Sequence, residues 1–203
     1  MHNHLICSID TETSGLDPLI HDIWSLAIAP LSQDNISRHL KLKPLYLEFK
    51  PINLDTISEQ AVKVNKMDVH HLIKYGLTLK EGRNKIIEWV KECKKIEHFT
   101  KIQPLGHNFA FDANFIRKAF VTLDNYQDYF DYHCLDTSIM ANNINHICFK
   151  NHRKHKFNSI SLVNVAKDMG IPVPPNTHNA LVDANLTIDV YRELTKLYES
   201  RGY

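Results

Sequence analysis

Three short stretches combine carboxylates, histidines and turn residues in a way that could do chemistry. They are Asp10-Thr11-Glu12-Thr13-Ser14-Gly15-Leu16-Asp17-Pro18, Gly106-His107-Asn108-Phe109-Ala110-Phe111-Asp112 and His178-Asn179-Ala180-Leu181-Val182-Asp183. An apolar, β-leaning run, Leu5 to Ile9, precedes the first. Side chains alternate along a strand, so Asp10 and Glu12 project from one face. Two carboxylates at the end of a buried strand repel each other unless a positive charge sits between them, and a hard divalent cation such as Mg²⁺ or Mn²⁺ is the natural occupant. Gly15 and Asp17-Pro18 then turn the chain away.

Each stretch also has a plainer reading. A D-x-E triplet arises by chance in many proteins as a solvated turn. Asp112 falls in the first turn of an expected helix, where the helix dipole favours any acid. Asp183 could be a surface residue of an amphipathic helix, and His178 a capping or half-buried histidine. Leu16 and Phe111 could be core residues, and Asn108 a turn residue.

The three stretches together, D-x-E-T-x-G-L, H-N-x-x-F-D and H-x-x-x-x-D in that order, resemble the DEDDh exonucleases of the DnaQ-like, ribonuclease-H-like superfamily. The likeness runs from Leu5 to about Tyr198. The Asp10–Pro18 and Val69–Ile87 regions look most like the proofreading exonuclease subunit of bacterial DNA polymerase III. His178, five residues before Asp183, places the chain in the histidine branch, because the tyrosine of the other branch would stand at position 179, which is Asn.

This resemblance implies a metal-dependent 3′→5′ exonuclease that releases nucleoside 5′-monophosphates from single-stranded or frayed DNA. The same family includes exoribonucleases that trim RNA ends or short oligoribonucleotides. A non-catalytic module that grips 3′ ends is the alternative of another class. Asp10, Glu12, Asp112 and Asp183 would hold two divalent ions, Mg²⁺ or Mn²⁺, and His178 would be the general base. Two metals about 3.5–4 Å apart can activate a water, neutralise the phosphoryl group and help the leaving 3′-oxygen. A histidine, with an ordinary pKa of about 6.5, suits the base, so the rate is expected to fall below about pH 6.5. Thr13, Gly15 and Leu16 would meet the terminal nucleotide, Asn108 and Phe111 would line the scissile bond, and His107 would support them from behind. Asp136 is read as supporting structure. Expected partners are DNA or RNA 3′ ends, with a DNA polymerase as a further candidate. The short stretch after Asp183 leaves little room for a polymerase-binding tail, which favours a stand-alone enzyme.

Composition bounds these readings. The chain has 203 residues, enough for one domain spanning 1–203 with a full core. Hydrophobic and charged contents of 43% and 23% suit a soluble globular protein. A net charge of +1, with 13 histidines counted neutral, excludes a strongly basic DNA-coating protein. A nucleic acid would have to be held by a local basic patch and bound metal. Cys7, Cys93, Cys134 and Cys148 form no C-x-x-C pair and read as reduced core thiols of a cytoplasmic protein. No signal peptide is evident after Met1. The most apolar run, residues 23–31, is too short to span a membrane.

The elements that must position the three stretches follow from periodicity and punctuation. Strands are expected at 5–9, at 23–31, and around Leu40, Leu42, Leu47 and Phe49, with a polar turn at Ser32–Asn35. Two short helices fill 58–75 and end near Gly76. A capping box at Thr78–Glu81 opens a helix carrying Ile86, Ile87, Val90 and Cys93. A strand through Pro104–Gly106 leads into a helix over 110–121. A strand at Tyr132–Leu135, a helix over 137–147, a basic loop at 150–156 and a helix from Ser159 or Ser161 to Gly170 come next. Pro172, Pro174 and Pro175 force an extended segment before the last helix, whose Leu181, Ala184, Ile188, Tyr191, Leu194 and Tyr198 form one stripe. His146, Cys148, His152 and His155 match no tight zinc spacing. Lys150, Arg153, Lys154 and Lys156 suit contacts with flanking phosphates. The expected fold class is α/β: a ribonuclease-H-like mixed β-sheet, an antiparallel meander plus parallel strands, flanked by helices.

Overall fold

A computed structural model describes residues 3–31, 42–120 and 126–201. The expected turn at Ser32–Asn35 and the Leu40 end of the third strand lie outside these residues. Five strands form one mixed sheet: β1 (Leu5–Thr13), β2 (Ile23–Pro30), β3 (Leu45–Glu48), β4 (Ile102–Gly106) and β5 (Leu135–Asp136), in the order β3-β2-β1-β4-β5. The first three make the antiparallel meander, and β4 and β5 add parallel strands beside β1. The central strand is thus the one that carries the first acidic pair.

Between β3 and β4 lie α1 (Glu59–Asn65), α2 (Val69–Tyr75) and α3 (Leu79–Ile96). The capping box forms as the sequence suggests: Thr78 Oγ1 accepts from the Glu81 N–H, while the Glu81 carboxylate accepts from the Thr78 N–H. After β4 come α4 (Phe109–Phe120), α5 (Tyr126–Tyr129), α6 (Thr137–Lys150), α7 (Leu162–Asp168) and α8 (Ala180–Arg201). One face of the sheet packs Cys7, Ile9, Ile28 and Leu47 against Ile86 and Val90 of α3 and Ile116 and Phe120 of α4. The other packs Ala27, Ala29 and Leu105 against Ala180, Ala184 and Ile188 of α8. A third cluster joins α6, α7 and α8 around Phe157, Val165 and Leu194.

Several local expectations are corrected. The strand foreseen at Tyr132–Leu135 shrinks to Leu135–Asp136, because Asp131 accepts the His133 N–H at 2.8 Å and turns the chain there, leaving Tyr132 exposed. The helix foreseen over 137–147 continues to Lys150. Ser161 precedes α7 without a side-chain cap, whereas Gly170, with a φ of 75° just past the helix end, is the C′ glycine expected. Cys134 is exposed on the approach to β5 and is not a core thiol, whereas Cys7, Cys93 and Cys148 are buried. Among the described residues no helix is long and apolar enough to cross a membrane.

Candidate active site

The α8-covered face of the sheet explains how residues so distant in sequence meet. Asp10 stands opposite Ala27 on β2, and Glu12 opposite Ser25. Ala27, Ala29, Ala180 and Ala184 are all buried where sheet and helix touch, and such small side chains let the helix backbone approach closely. Asn179 opens α8 by accepting from the Leu181 and Val182 N–H groups, which puts Asp183 in its first turn. Asp10, Glu12 and Asp183 each present a carboxylate oxygen within 4.8 Å of the others. Among the described residues this is the one group of three or more such ligands.

Asp112 reaches the cluster from α4. Its Oδ1 accepts from the backbone N–H of Thr11 at 2.9 Å and from the Thr11 hydroxyl at 2.7 Å. The residue between the two acids of β1 therefore anchors the third, leaving Asp112 Oδ2 as its uncommitted oxygen.

Burial, then Asp112, Glu12 and Asp183, raise the Asp10 carboxyl well above its ordinary range. Burial, then Asp183 and Asp112, push Glu12 up to about 8. Burial carries Asp112 to about 7 against the two Thr11 hydrogen bonds. Asp183 is raised by burial, against the His178 N–H it accepts. Its Oδ1 is buried with no hydrogen-bond partner. An orphaned carboxylate oxygen amid acids that resist ionisation fits a cation, and the all-oxygen donor set suits a hard divalent ion.

His178 sits on the exposed loop before α8 with a φ of 68°. Its backbone N–H donates to Asp183 Oδ2 at 2.8 Å. Asp183 thus pins the histidine's loop with one oxygen and offers the other to the cluster.

A cavity of about 200 Å³ opens beside Glu12. Thr13, Gly15, Leu16 and Phe111 line it, facing Val64 of α1. Leu16 is 80% exposed, so it is no core residue. A Cβ on Gly15 would lie 2.1 Å from the His21 ring, which explains glycine there. Asn108 and His107 are not in the lining. Asn108 holds a φ of 63° in the turn into α4. Both ring nitrogens of His107 are engaged within the protein, Nδ1 with the Thr137 hydroxyl and Nε2 with the Ile160 carbonyl, each at 2.8 Å.

Asp136 braces that turn. Its carboxylate accepts from the N–H groups of Asn108, Phe109, Ser138 and Ile139 and from the Ser138 hydroxyl. Burial alone would raise it, but these bonds hold it below the usual carboxylate range. Asp136→Ala would strand the buried Phe109 N–H and uncap α6, at a cost of about 3 kcal/mol. For a chain of this size, thermal denaturation should register a fall in midpoint of roughly 6–12 °C. A change under about 2 °C would remove Asp136 from this bracing role.

Sequence reasoning overlooked Asn65 and Asn179. An Asn immediately before an apolar-periodic helix marks Asn179 as a cap, whereas the contact Asn65 makes with Thr13 had no local signal.

A mixed sheet with acids on its central strand and on the first turn of a covering helix is a ribonuclease-H-like arrangement. Comparison with known proteins agrees. The family model described as Exonuclease (RNase_T) matches residues 7–191. Ribonuclease T of Shewanella baltica is 24% identical over 197 residues, covering 96% of this chain and 82% of that protein. Ribonuclease T of Buchnera aphidicola (subsp. Schizaphis graminum) is 28% identical over 111 residues, 55% of this chain, and the match spans 51% of the relative. Among solved structures, exonuclease I superposes with a TM-score of 0.71 at 19% identity, over 98% of this chain and 42% of that one. The nuclease domain of 3′hExo, a DEDDh family member bound to rAMP, gives 0.66 at 14% identity, over 98% and 95%. The chain belongs to this exonuclease family.

Proposed function

We propose that this chain removes nucleoside 5′-monophosphates one at a time from the 3′ end of a single-stranded nucleic acid. The observation that carries the reading is the carboxylate cluster beside a cavity whose Leu16, Val64 and Phe111 walls offer an apolar seat for one base. Asp10, Glu12 and Asp183 would hold divalent cations, with Asp112 completing the set, and two Mg²⁺ or Mn²⁺ ions match four carboxylates. Bound there, the cations supply a water of lowered pKa and neutralise charge on the transferring phosphoryl group. The protein's own groups do the rest. Thr13, Gly15, Leu16 and Phe111 seat the last nucleotide. Asp183 holds the His178 loop, so that a ring nitrogen of His178 takes the proton of the attacking water. Asn108 and His107 shape the scissile side from the β4–α4 turn.

Relatives named Ribonuclease T, one matched along 96% of the chain, favour RNA as the first substrate. The opening motif and the exonuclease I complexes with single-stranded DNA keep DNA as the second. A polymerase partner rests only on the resemblance of the Asp10–Pro18 and Val69–Ile87 regions.

A gel time course with 5′-labelled single-stranded RNA and DNA oligomers in Mg²⁺ tests the reading. The expected result is a one-nucleotide ladder that shrinks from the 3′ end, faster on RNA, and disappears in EDTA. No shortening of either polymer with Mg²⁺ or Mn²⁺ would leave the 3′-end-binding module as the reading.

A further inference from the structure

We propose that the side-chain amide of Asn65 reads the hydroxyl groups of the terminal sugar, and so sets which 3′ termini the cavity accepts. This rests on the cavity being the seat of the last nucleotide.

Helix α1 walls the cavity. None of its residues is fully buried, so apolar packing alone does not fix its place. Two hydrogen bonds do. At its start, the Ser58 N–H donates to the Ser14 carbonyl at 2.8 Å, while Ser58 Oγ caps the helix by accepting from the Ala61 N–H. At its end, Asn65 Nδ2 donates to the Thr13 carbonyl at 2.9 Å. Lys66 then adopts a φ of 52° and stops the helix just beyond Asn65. Neighbouring carbonyls of the β1–β2 turn thus grip the two ends of the helix that walls the cavity.

The second tether has a chemical consequence. An amide offers a donor end and an acceptor end. With Nδ2 committed to Thr13, the orientation of the group is fixed, and Oδ1 is left as an acceptor with no hydrogen-bond partner among the described residues. Asn65 lines the cavity in which Thr13 and Glu12 also stand. A fixed, uncharged acceptor beside a carboxylate cluster suits a hydroxyl donor and not a phosphate, which brings only acceptors. On a terminal nucleotide the donors of that kind are the 2′- and 3′-hydroxyls of the sugar.

The test is equilibrium binding of four nucleotides that differ only in the sugar: AMP, 2′-deoxyAMP, 3′-deoxyAMP and 2′,3′-dideoxyAMP. Each is titrated by calorimetry into the wild-type protein and into Asn65→Ala, with Ca²⁺ present. The wild type should bind at least one of the deoxy analogues about 5–10-fold more weakly than AMP, the worth of one hydrogen bond, and the analogue affected names the hydroxyl read. In Asn65→Ala that ratio should fall to about one. A general distortion of α1 would weaken all four nucleotides alike and leave the ratio standing, so the ratio reports on the acceptor and not on folding. An unchanged ratio in the variant would overturn the proposal. So would a wild type that binds all four equally, or none. The ladder assay on the same preparations is read separately. Discrimination without strand shortening would sink the exonuclease reading and leave Asn65 its role, whereas shortening without discrimination would do the reverse.

Discussion

Replacing Asp10 by Asn is expected to abolish hydrolysis while making the metal-free protein harder to melt. Asp10 faces Glu12, Asp112 and Asp183, and each raises the cost of ionising it. An amide of the same shape takes this buried, hard-to-ionise carboxyl out of the group of four. On the proposed function it would also remove one of the carboxylates that hold the cations, so activity in Mg²⁺ should fall roughly 10³-fold or more, the scale on which lost transition-state stabilisation is felt. In EDTA at pH 8 the melting midpoint should rise by several degrees, given about 2–4 °C per kcal/mol for a chain of this size. The sign follows from linkage. Glu12 at about 8 and Asp112 at about 7 lie above their ordinary values of 4.5 and 3.8, so the folded metal-free protein binds more protons than the unfolded chain between those limits. Their contribution is full below about pH 4 and is lost as pH rises through about 7–8. The wild type in EDTA should therefore melt lower at pH 8 than at pH 5.5. Added Mn²⁺ should restore the difference in the wild type far more than in Asp10→Asn. A metal-free midpoint that climbs across that range, or a variant keeping a tenth of the wild-type rate, would contradict this account.

His178→Asn should behave in the opposite way: a rate loss of about 10²–10⁴-fold with no measurable change in melting. The side chain is exposed, and the bond that matters to the fold comes from its backbone N–H, which Asn retains. Asn also tolerates the positive φ of 68° better than Ala would, so the substitution isolates the ring. Single-turnover rates on a 5′-labelled oligomer, set beside thermal melts, make the comparison. Loss of both rate and stability would make His178 a structural residue, and a rate within threefold of wild type would pass the base's role to another group.

The acidic positions were legible because they announce themselves locally: two carboxylates alternate along an apolar run, one acid follows a Gly-containing turn, and one opens a helix. The sheet's meander was legible too, since short turns join β1 to β2 and the capping box of α3 fixes where helices take over. Contacts across the chain were not. Nothing near Thr11 shows that its hydroxyl will anchor Asp112, a residue on another element, and nothing near Asn65 shows that its amide will reach Thr13. The strand at Tyr132–Leu135 failed for the same kind of reason, because an aspartate side chain closed a turn where β-propensity alone suggested extension. The exposed state of Cys134 likewise depends on where that turn leaves the chain.

The seating of α8 on the sheet also sets an order of events. The first acids lie at positions 10 and 12 on β1, and the last lies at 183 on α8, far later in the chain. A chain still emerging from the ribosome carries Asp10, Glu12 and Asp112 but lacks the ligand that closes the cluster. Asp183 reaches the cluster only when Ala180 and Ala184 pack on Ala27 and Ala29, so on the proposed function catalytic competence would come with the docking of α8. A nuclease assembled in this way is silent as a nascent chain, and anything that lifts its last helix off the sheet switches it off.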